Sequence, residues 1–105
     1  MASDRTQIRV GIIGLGTVGG GTATVLAMNA EPIQTRAIPI RLAAVADIAV
    51  EKSRDFLDRI GLQDTRLTSD WQELINDPDI DIIVETVGGT TFARTVIAEA
   101  LKAGK

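Results

Sequence analysis

The chain has 105 residues and a formal net charge of −3, and 45% of it is hydrophobic against 24% charged, the balance of one globular domain with a core of its own. It contains no cysteine, histidine or tyrosine, which excludes disulfides, thiolate chemistry and the commonest general base and metal ligand. The acidic balance argues against a nucleic-acid or polybasic membrane surface, and with no apolar leader and no run near the ~18 residues of a membrane span the expected setting is cytoplasmic.

Ile8 to Ile13 (IRVGII) is almost continuously apolar, as in a parallel strand covered on both faces. It breaks into Gly14-x-Gly16-x-x-Gly19, followed by a helix expected over Thr17–Met28. Glycines at this spacing, between a strand and a helix, bring backbone up against a pyrophosphate. Gly14 makes the tight turn, Gly16 lets the chain approach without a Cβ, and Gly19 seats the helix on the sheet with its first amides and positive dipole end toward the anion. A merely tight strand-to-helix turn is the alternative. Along the helix, Val18, Thr22, Val25, Leu26 and Asn29 share a face at the 3.6 period, with Gly19, Gly20 and Ala23 keeping the packing close. Successive glycines cost roughly 1 kcal/mol each in helix propensity against Ala, so something other than helix stability favours them.

Two prolines and mixed polarity mark Ala30–Pro39 as a connection. Ile40–Ala46 (IRLAAVA) is a second apolar strand ending in Asp47, whose carboxylate is placed to accept hydrogen bonds from the ribose hydroxyls of an adenosine. It lies somewhat beyond the usual separation of about 20 residues from the glycines, and the Ala30–Pro39 connection absorbs the excess. Capping the next turn is its alternative role. Asp47 on a ribose disfavours a 2′-phosphate and so favours NAD over NADP; Ile48 offers no positive charge, although Lys52 and Arg54 are near in sequence.

A helix from Ala49 or Val50 to Ile60 buries Phe56, Leu57 and Ile60 and stops at Gly61. Thr65–Thr68 reads as a short strand. Ser69 and Asp70 compete to cap a helix carrying Trp71, Leu74 and Ile75 at i, i+3 and i+4, with Trp71 read as core. Asp77-Pro78-Asp79 is a turn and Ile80–Val84 a strand, after which Glu85 is either a functional group or an anchor for the next loop. In Thr86-Val87-Gly88-Gly89-Thr90 the glycines let backbone pass close to a cofactor at the carboxyl end of that strand, or simply open a helix, with Thr90 or Thr91 as its cap. That helix is expected over Thr91–Ala103 with Phe92, Val96, Ala100 and Leu101 inward.

Strands alternating with helices imply an α/β fold, a Rossmann-like doubly wound parallel sheet of about four strands. The expected next strand is missing, so the sheet reads as incomplete at the C-terminus and residues 1–105 as a partial dinucleotide-binding domain.

Three segments carry a resemblance to the N-terminal part of the homoserine dehydrogenase family: IRVGIIGLGTVGGG at Ile8–Gly21, IRLAAVAD at Ile40–Asp47, and DIIVETVGGTTFARTVIAEALKAGK at Asp81–Lys105. The last is the most specific, a strand ending in Glu-x-x-Gly-Gly and a helix closing on Ala-Gly-Lys. The resemblance implies a parent enzyme, a homo-oligomer, that reduces aspartate 4-semialdehyde to homoserine with NADH or NADPH on the route to threonine and methionine. It implies cofactor contacts at Gly14, Gly16, Thr17, Val18 and Gly19, a ribose contact near Asp47, and nicotinamide-side contacts at Thr86, Val87, Gly88 and Gly89. The family continues from Ala-Gly-Lys into a strand bearing an essential lysine and then a substrate and dimerisation region. None of this is in the sequence, so no catalytic residue is assigned, Lys105 included, and the fragment alone is expected to be inactive. Ile48 stands where many relatives carry a basic residue. The alternatives are another NAD(P)-dependent oxidoreductase similar to glucose–fructose oxidoreductase, a non-catalytic dinucleotide-sensing module, or a Rossmann-like domain with an empty site.

Overall fold

The computed structural model describes residues 7–29 and 39–105. Four parallel strands, β1 (Ile8–Ile13), β2 (Ile40–Ala46), β3 (Arg66–Thr68) and β4 (Ile82–Glu85), form one sheet in the order β3-β2-β1-β4. The helices are α1 (Thr17–Met28), α2 (Val50–Arg59), α3 (Trp71–Asn76) and α4 (Thr90–Lys102). β1 is central because both of its faces can be buried. Val10 and Ile12 pack with Ala23 of α1 and Leu57 of α2, while Ile13 packs on the other face with Leu74 and Ile75 of α3 and Val96 and Ala100 of α4. A strand covered on both sides has no use for polar alternation, which is why IRVGII reads as a continuous apolar run.

The register between β1 and β2 slips by one residue between Val10 and Gly11, whose partners are Leu42 and Ala44. The extra residue, Ala43, turns the strand over, so that Leu42 and Val45 share one core while Ala44 and Ala46 face the other. Beyond this bulge the strands end level, with Ile13 beside both Ala46 and Glu85, and Ala46 beside Thr68. The next residue of each strand therefore falls in one row along the carboxyl edge of the sheet: Ser69, Asp47, Gly14 and Thr86.

The packing face of α1 is not the Val18–Val25 face. Gly19, Gly20 and Ala23 are buried, whereas Val18 and Val25 are 68% and 57% exposed. A Cβ on Gly19 would fall 1.9 Å from the Gly14 carbonyl oxygen, and one on Gly20 would fall 3.3 Å from the Phe56 ring. At that distance only small residues fit beneath the helix, and the bulkier face turns outward. Leu101 of α4 is likewise exposed (69%), since it lies a step of helical rotation beyond Ala100, whose side is the buried one.

Other boundaries differ by local chemistry. Asp70, not Ser69, caps α3 by accepting from Gln72 N at 3.0 Å. Gly89, with φ +77°, is the N-cap of α4 in place of either threonine, and this helix starts at Thr90. The ladder of β4 starts at Ile82, not Ile80, because the Asp81 carboxylate takes the Arg9 N–H at 2.9 Å where a strand carbonyl would otherwise accept it. The connection expected over Ala30–Pro39 lies, except for Pro39, outside the described residues. No helix among the described residues is long and apolar enough to cross a membrane.

The Ala-Gly-Lys ending has a structural role. Gly104 (φ +82°) sits just past α4, Lys105 N donates to Ala100 O at 2.9 Å and Gly104 N to Leu101 O at 3.1 Å, the paired bonds of a Schellman cap. The Lys105 ammonium then reaches back to the carbonyl oxygens of Asp77 (2.7 Å) and Ile80 (2.5 Å), pinning the turn that leads into β4. Lys105→Met, which keeps the stem and removes the donor, is expected to lower the unfolding free energy by about 1 to 2 kcal/mol, as judged by urea titration.

Candidate functional site

The row of strand-end residues forms the floor of a cavity of about 370 Å³, lined by Gly14, Gly16, Asp47, Ser69 and Thr86 among others. It opens where the chain, having laid β2 and β3 on one side of β1, crosses back to lay β4 on the other. In open parallel sheets this reversal is where a crevice for ligands forms.

Each motif glycine meets a different constraint. Gly14 has φ +96°, and a Cβ there would lie 2.8 Å from the Val87 side chain and 3.0 Å from Val87 N. Gly19 lies against the Gly14 carbonyl and the Thr86 hydroxyl. At Gly16 a Cβ would meet nothing within 4 Å. Gly16 is the N-cap of α1 and makes no side-chain cap, and the first helical bond runs from Gly20 N to Gly16 O at 2.7 Å. The amides of Thr17, Val18 and Gly19 thus precede the helical ladder and have no acceptor within it. Amides with no helical acceptor, beside open space and next to a bare Cα, form the kind of cradle that an anionic phosphate fills.

Asp47 holds the turn rather than standing free. Its Oδ2 accepts from Leu15 N and its Oδ1 from Ala49 N, both at 2.7 Å, so the capping role is present. Each carboxylate oxygen keeps a further lone pair. Thr86 donates its hydroxyl to Gly14 O at 2.6 Å, and its amide donates to Ile13 O at 3.0 Å. Glu85 accepts from Val87 N at 2.7 Å, which makes it an anchor of the following loop.

Of the ten residues singled out in the sequence, Gly14, Gly16, Asp47, Thr86 and Val87 line the cavity. Gly19 is buried beneath the turn, Thr17 and Val18 stand exposed at the start of α1, and Gly88 and Gly89 form the exposed loop before α4. Sequence reasoning missed Ser69, although the residue after each strand of such a sheet is a candidate by position alone. It read Trp71 as core ahead of a stacking platform, and the structure gives it both a core contact and a place on the cavity wall. Trp71 packs on the core edge-on to Phe92, with ring centroids 5.6 Å apart, and both rings line the cavity.

Charge around the cavity is simple. Asp47 is the one charged residue among its described lining residues. Arg54 is turned away, donating Nη1 to Thr65 O (3.1 Å), Nη2 to Leu62 O (3.0 Å) and Nε to Asp58 (3.2 Å). Lys52 lies beside Asp55, Asp58 and Arg59 around a separate surface depression. Ile48, at the cavity mouth, is 91% exposed. No cluster of metal-ligating side chains occurs among the described residues.

Residues 14–105 match the family described as the homoserine dehydrogenase NAD binding domain. The chain belongs to that family. This homoserine dehydrogenase-type domain is 46% identical over 99 residues to the homoserine dehydrogenase of Methylobacillus glycogenes, a match covering 93% of the chain and 23% of that relative. It is 42% identical over 98 residues to that of Pseudomonas aeruginosa, covering 93% and 21%. Among solved structures it resembles Staphylococcus aureus homoserine dehydrogenase with a TM-score of 0.82 and 31% identity, over 95% of the chain and 24% of that protein. It also resembles scyllo-inositol dehydrogenase from Lactobacillus casei, solved with bound NAD(H) and scyllo-inositol, with a TM-score of 0.72 and 27% identity over 94% and 26%. The NAD-binding domain therefore spans roughly a quarter of the length of these relatives.

The glycine contacts separate fold from ligand space. Gly16→Ala is expected to lose no more than about 1 kcal/mol, the cost of Ala for Gly at an N-cap, since the new methyl meets nothing. Gly19→Ala is expected to lose about 3 kcal/mol or more, because backbone must move to admit the methyl. Urea unfolding of the two variants side by side checks the contrast.

Proposed function

We propose that this domain holds the dinucleotide with its pyrophosphate on the first turn of α1, over Gly16, and with the adenosine ribose on Asp47. The observation that carries this reading is the open space above Gly16, beside amides that have no acceptor in the helix and on the same cavity as the Asp47 carboxylate. Helix amides and the positive end of the α1 dipole stabilise the phosphate charge. The remaining lone pairs of Asp47 accept the ribose hydroxyls. Thr86 to Gly89 lie on the β4 side, where the nicotinamide half is proposed to rest, between the apolar walls of Ile13, Val87 and Phe92.

The same geometry favours NAD over NADP. A 2′-phosphate beside Asp47 would face a carboxylate at close range, and among the described residues no lysine or arginine lines the cavity to offset it. Arg54 is committed to the loop before β3.

For the whole protein we propose the oxidoreductase activity of the family, hydride transfer between the nicotinamide and aspartate 4-semialdehyde or homoserine, in a cytoplasmic homo-oligomer. The activity is supported by the names of the relatives, which are about four times longer than this chain. When bound, the nicotinamide supplies the hydride chemistry; the residues described here bind and orient it. The substrate and dimerisation regions are proposed to lie in the remainder of the protein. Likeness to scyllo-inositol dehydrogenase favours a second reading, a sugar-type oxidoreductase, though the match to the homoserine dehydrogenase is the stronger in both identity and TM-score.

Calorimetric titration with NAD and NADP tests the proposal. NAD is expected to bind at least about tenfold more tightly than NADP, a difference of about 1.4 kcal/mol. Gly16→Val, whose side chain would occupy the phosphate path, is expected to lose binding while keeping a dispersed amide spectrum. Undiminished binding by that variant would rule out the pyrophosphate assignment. In a separate variant, Ile48→Arg is expected to raise NADP affinity by about tenfold by supplying the missing cation; no gain would place the ribose away from the end of β2.

A further inference from the structure

We propose that Thr86 and Asp47 clamp the Gly14–Leu15 peptide from opposite sides, and that Thr86 supports binding of the ADP half of the dinucleotide through this clamp rather than through a contact with the nicotinamide. The proposal rests on the dinucleotide reading above and assigns Thr86 a positioning role.

In a trans peptide the carbonyl and the N–H point in opposite directions. At Gly14–Leu15 the carbonyl points toward β4 and receives the Thr86 hydroxyl at 2.6 Å, and the N–H points toward β2 and donates to Asp47 Oδ2 at 2.7 Å. Gly14 N is fixed as well, donating to Ala46 O at 2.8 Å. The plane of one peptide is thus tied to the ends of both strands that flank β1. It needs such ties, because glycine's permissive backbone leaves the plane next to Gly14 free to rotate. Two residues later the chain enters α1, so the orientation of this peptide sets where the amides of Thr17 to Gly19 point.

The proton inventory of Thr86 supports the same role. A threonine hydroxyl has one proton. The Gly14 carbonyl takes it at 2.6 Å, with Ile13 O farther away at 3.3 Å. Toward a ligand Thr86 then presents lone pairs only. The packing agrees: a Cβ on Gly19 would lie 2.6 Å from the Thr86 hydroxyl and 1.9 Å from Gly14 O, so α1 is fitted around the clamped pair.

ADP separates the two roles, since it carries the adenosine and pyrophosphate but no nicotinamide half. Calorimetry on the full chain with ADP and with NAD would compare the parent with Thr86→Val and Thr86→Ser, each checked for a dispersed amide spectrum. Thr86→Val is expected to weaken ADP and NAD alike by about fivefold to tenfold, the effect of losing one hydrogen bond. Thr86→Ser, which keeps the hydroxyl, is expected to restore both to within about twofold. A loss for NAD with ADP unchanged would overturn the proposal in favour of a direct nicotinamide contact, and so would unchanged affinity for both. Should Thr86→Val not fold, amide hydrogen exchange in the parent decides. The Leu15 N–H is expected to be protected, and exchange at the rate of an unstructured chain would overturn the clamp. A parent that binds neither ligand overturns the dinucleotide reading itself, an outcome distinct from equal binding by parent and variant.

Discussion

At Gly19, helix α1 comes so near the end of β1 that a single methyl group would collide with the Gly14 carbonyl, and much of the molecule is arranged around that approach. The helix can lie this low only because Gly19, Gly20 and Ala23 present almost no side chain to the sheet. Its low position brings the helix N-terminus to the level of the strand ends, so that its N-cap, Gly16, lines the same cavity as Asp47 and Thr86. A bulkier packing face would lift the helix and carry its N-terminus away from the cavity floor.

The sheet contributes the other half of the geometry. Strands of unequal length end level because β1 pairs directly with both β2 and β4, and because the extra residue at Ala43 sets the register of β2. Levelling the ends turns four residues distant in sequence into neighbours. Burial on both faces then makes the platform rigid. Two separate cores, one under α1 and α2 and the other under α3 and α4, grip β1 from either side, and a close-packed interior resists small displacements.

Much of this was legible in the sequence, for definite reasons. Ile8–Ile13, Thr17–Met28 and Ile40–Ala46 have the bounds their patterns predict, because an apolar run interrupted by glycines admits few other folds. The burial of Leu57, Leu74 and Val96 follows from helical spacing. In α1 the close packing of Gly19, Gly20 and Ala23 was legible, but the Val18–Val25 face, which periodicity also marks, turns outward, because periodicity rewards large apolar residues whereas close approach selects small ones. Val18 and Val25 satisfy the first criterion and Gly19, Gly20 and Ala23 the second. Leu101, expected inward together with Phe92, Val96 and Ala100, is exposed, since a single step along a helix is enough to leave the core. At the site, the glycines, Asp47 and Thr86 could be located from the ends of strands. The Trp71–Phe92 wall could not, since it depends on how α3 and α4 meet across more than twenty residues of chain. Nor does sequence alone show that Arg54 is held by the carbonyl groups of Leu62 and Thr65.

The three motif glycines answer to different masters. Gly14 and Gly19 are dictated by the polypeptide itself, one by its dihedral angle and its neighbour Val87, the other by the carbonyl beneath it. A side chain on Gly16 would meet nothing within 4 Å, so packing makes no demand on its identity. A lineage that ceased to use its ligand would keep the outer glycines as long as it kept its shape, while the middle position drifted. In proteins built on this plan, the central glycine is therefore the informative one. The outer pair answers to architecture, and the middle residue answers to whatever fills the space above it.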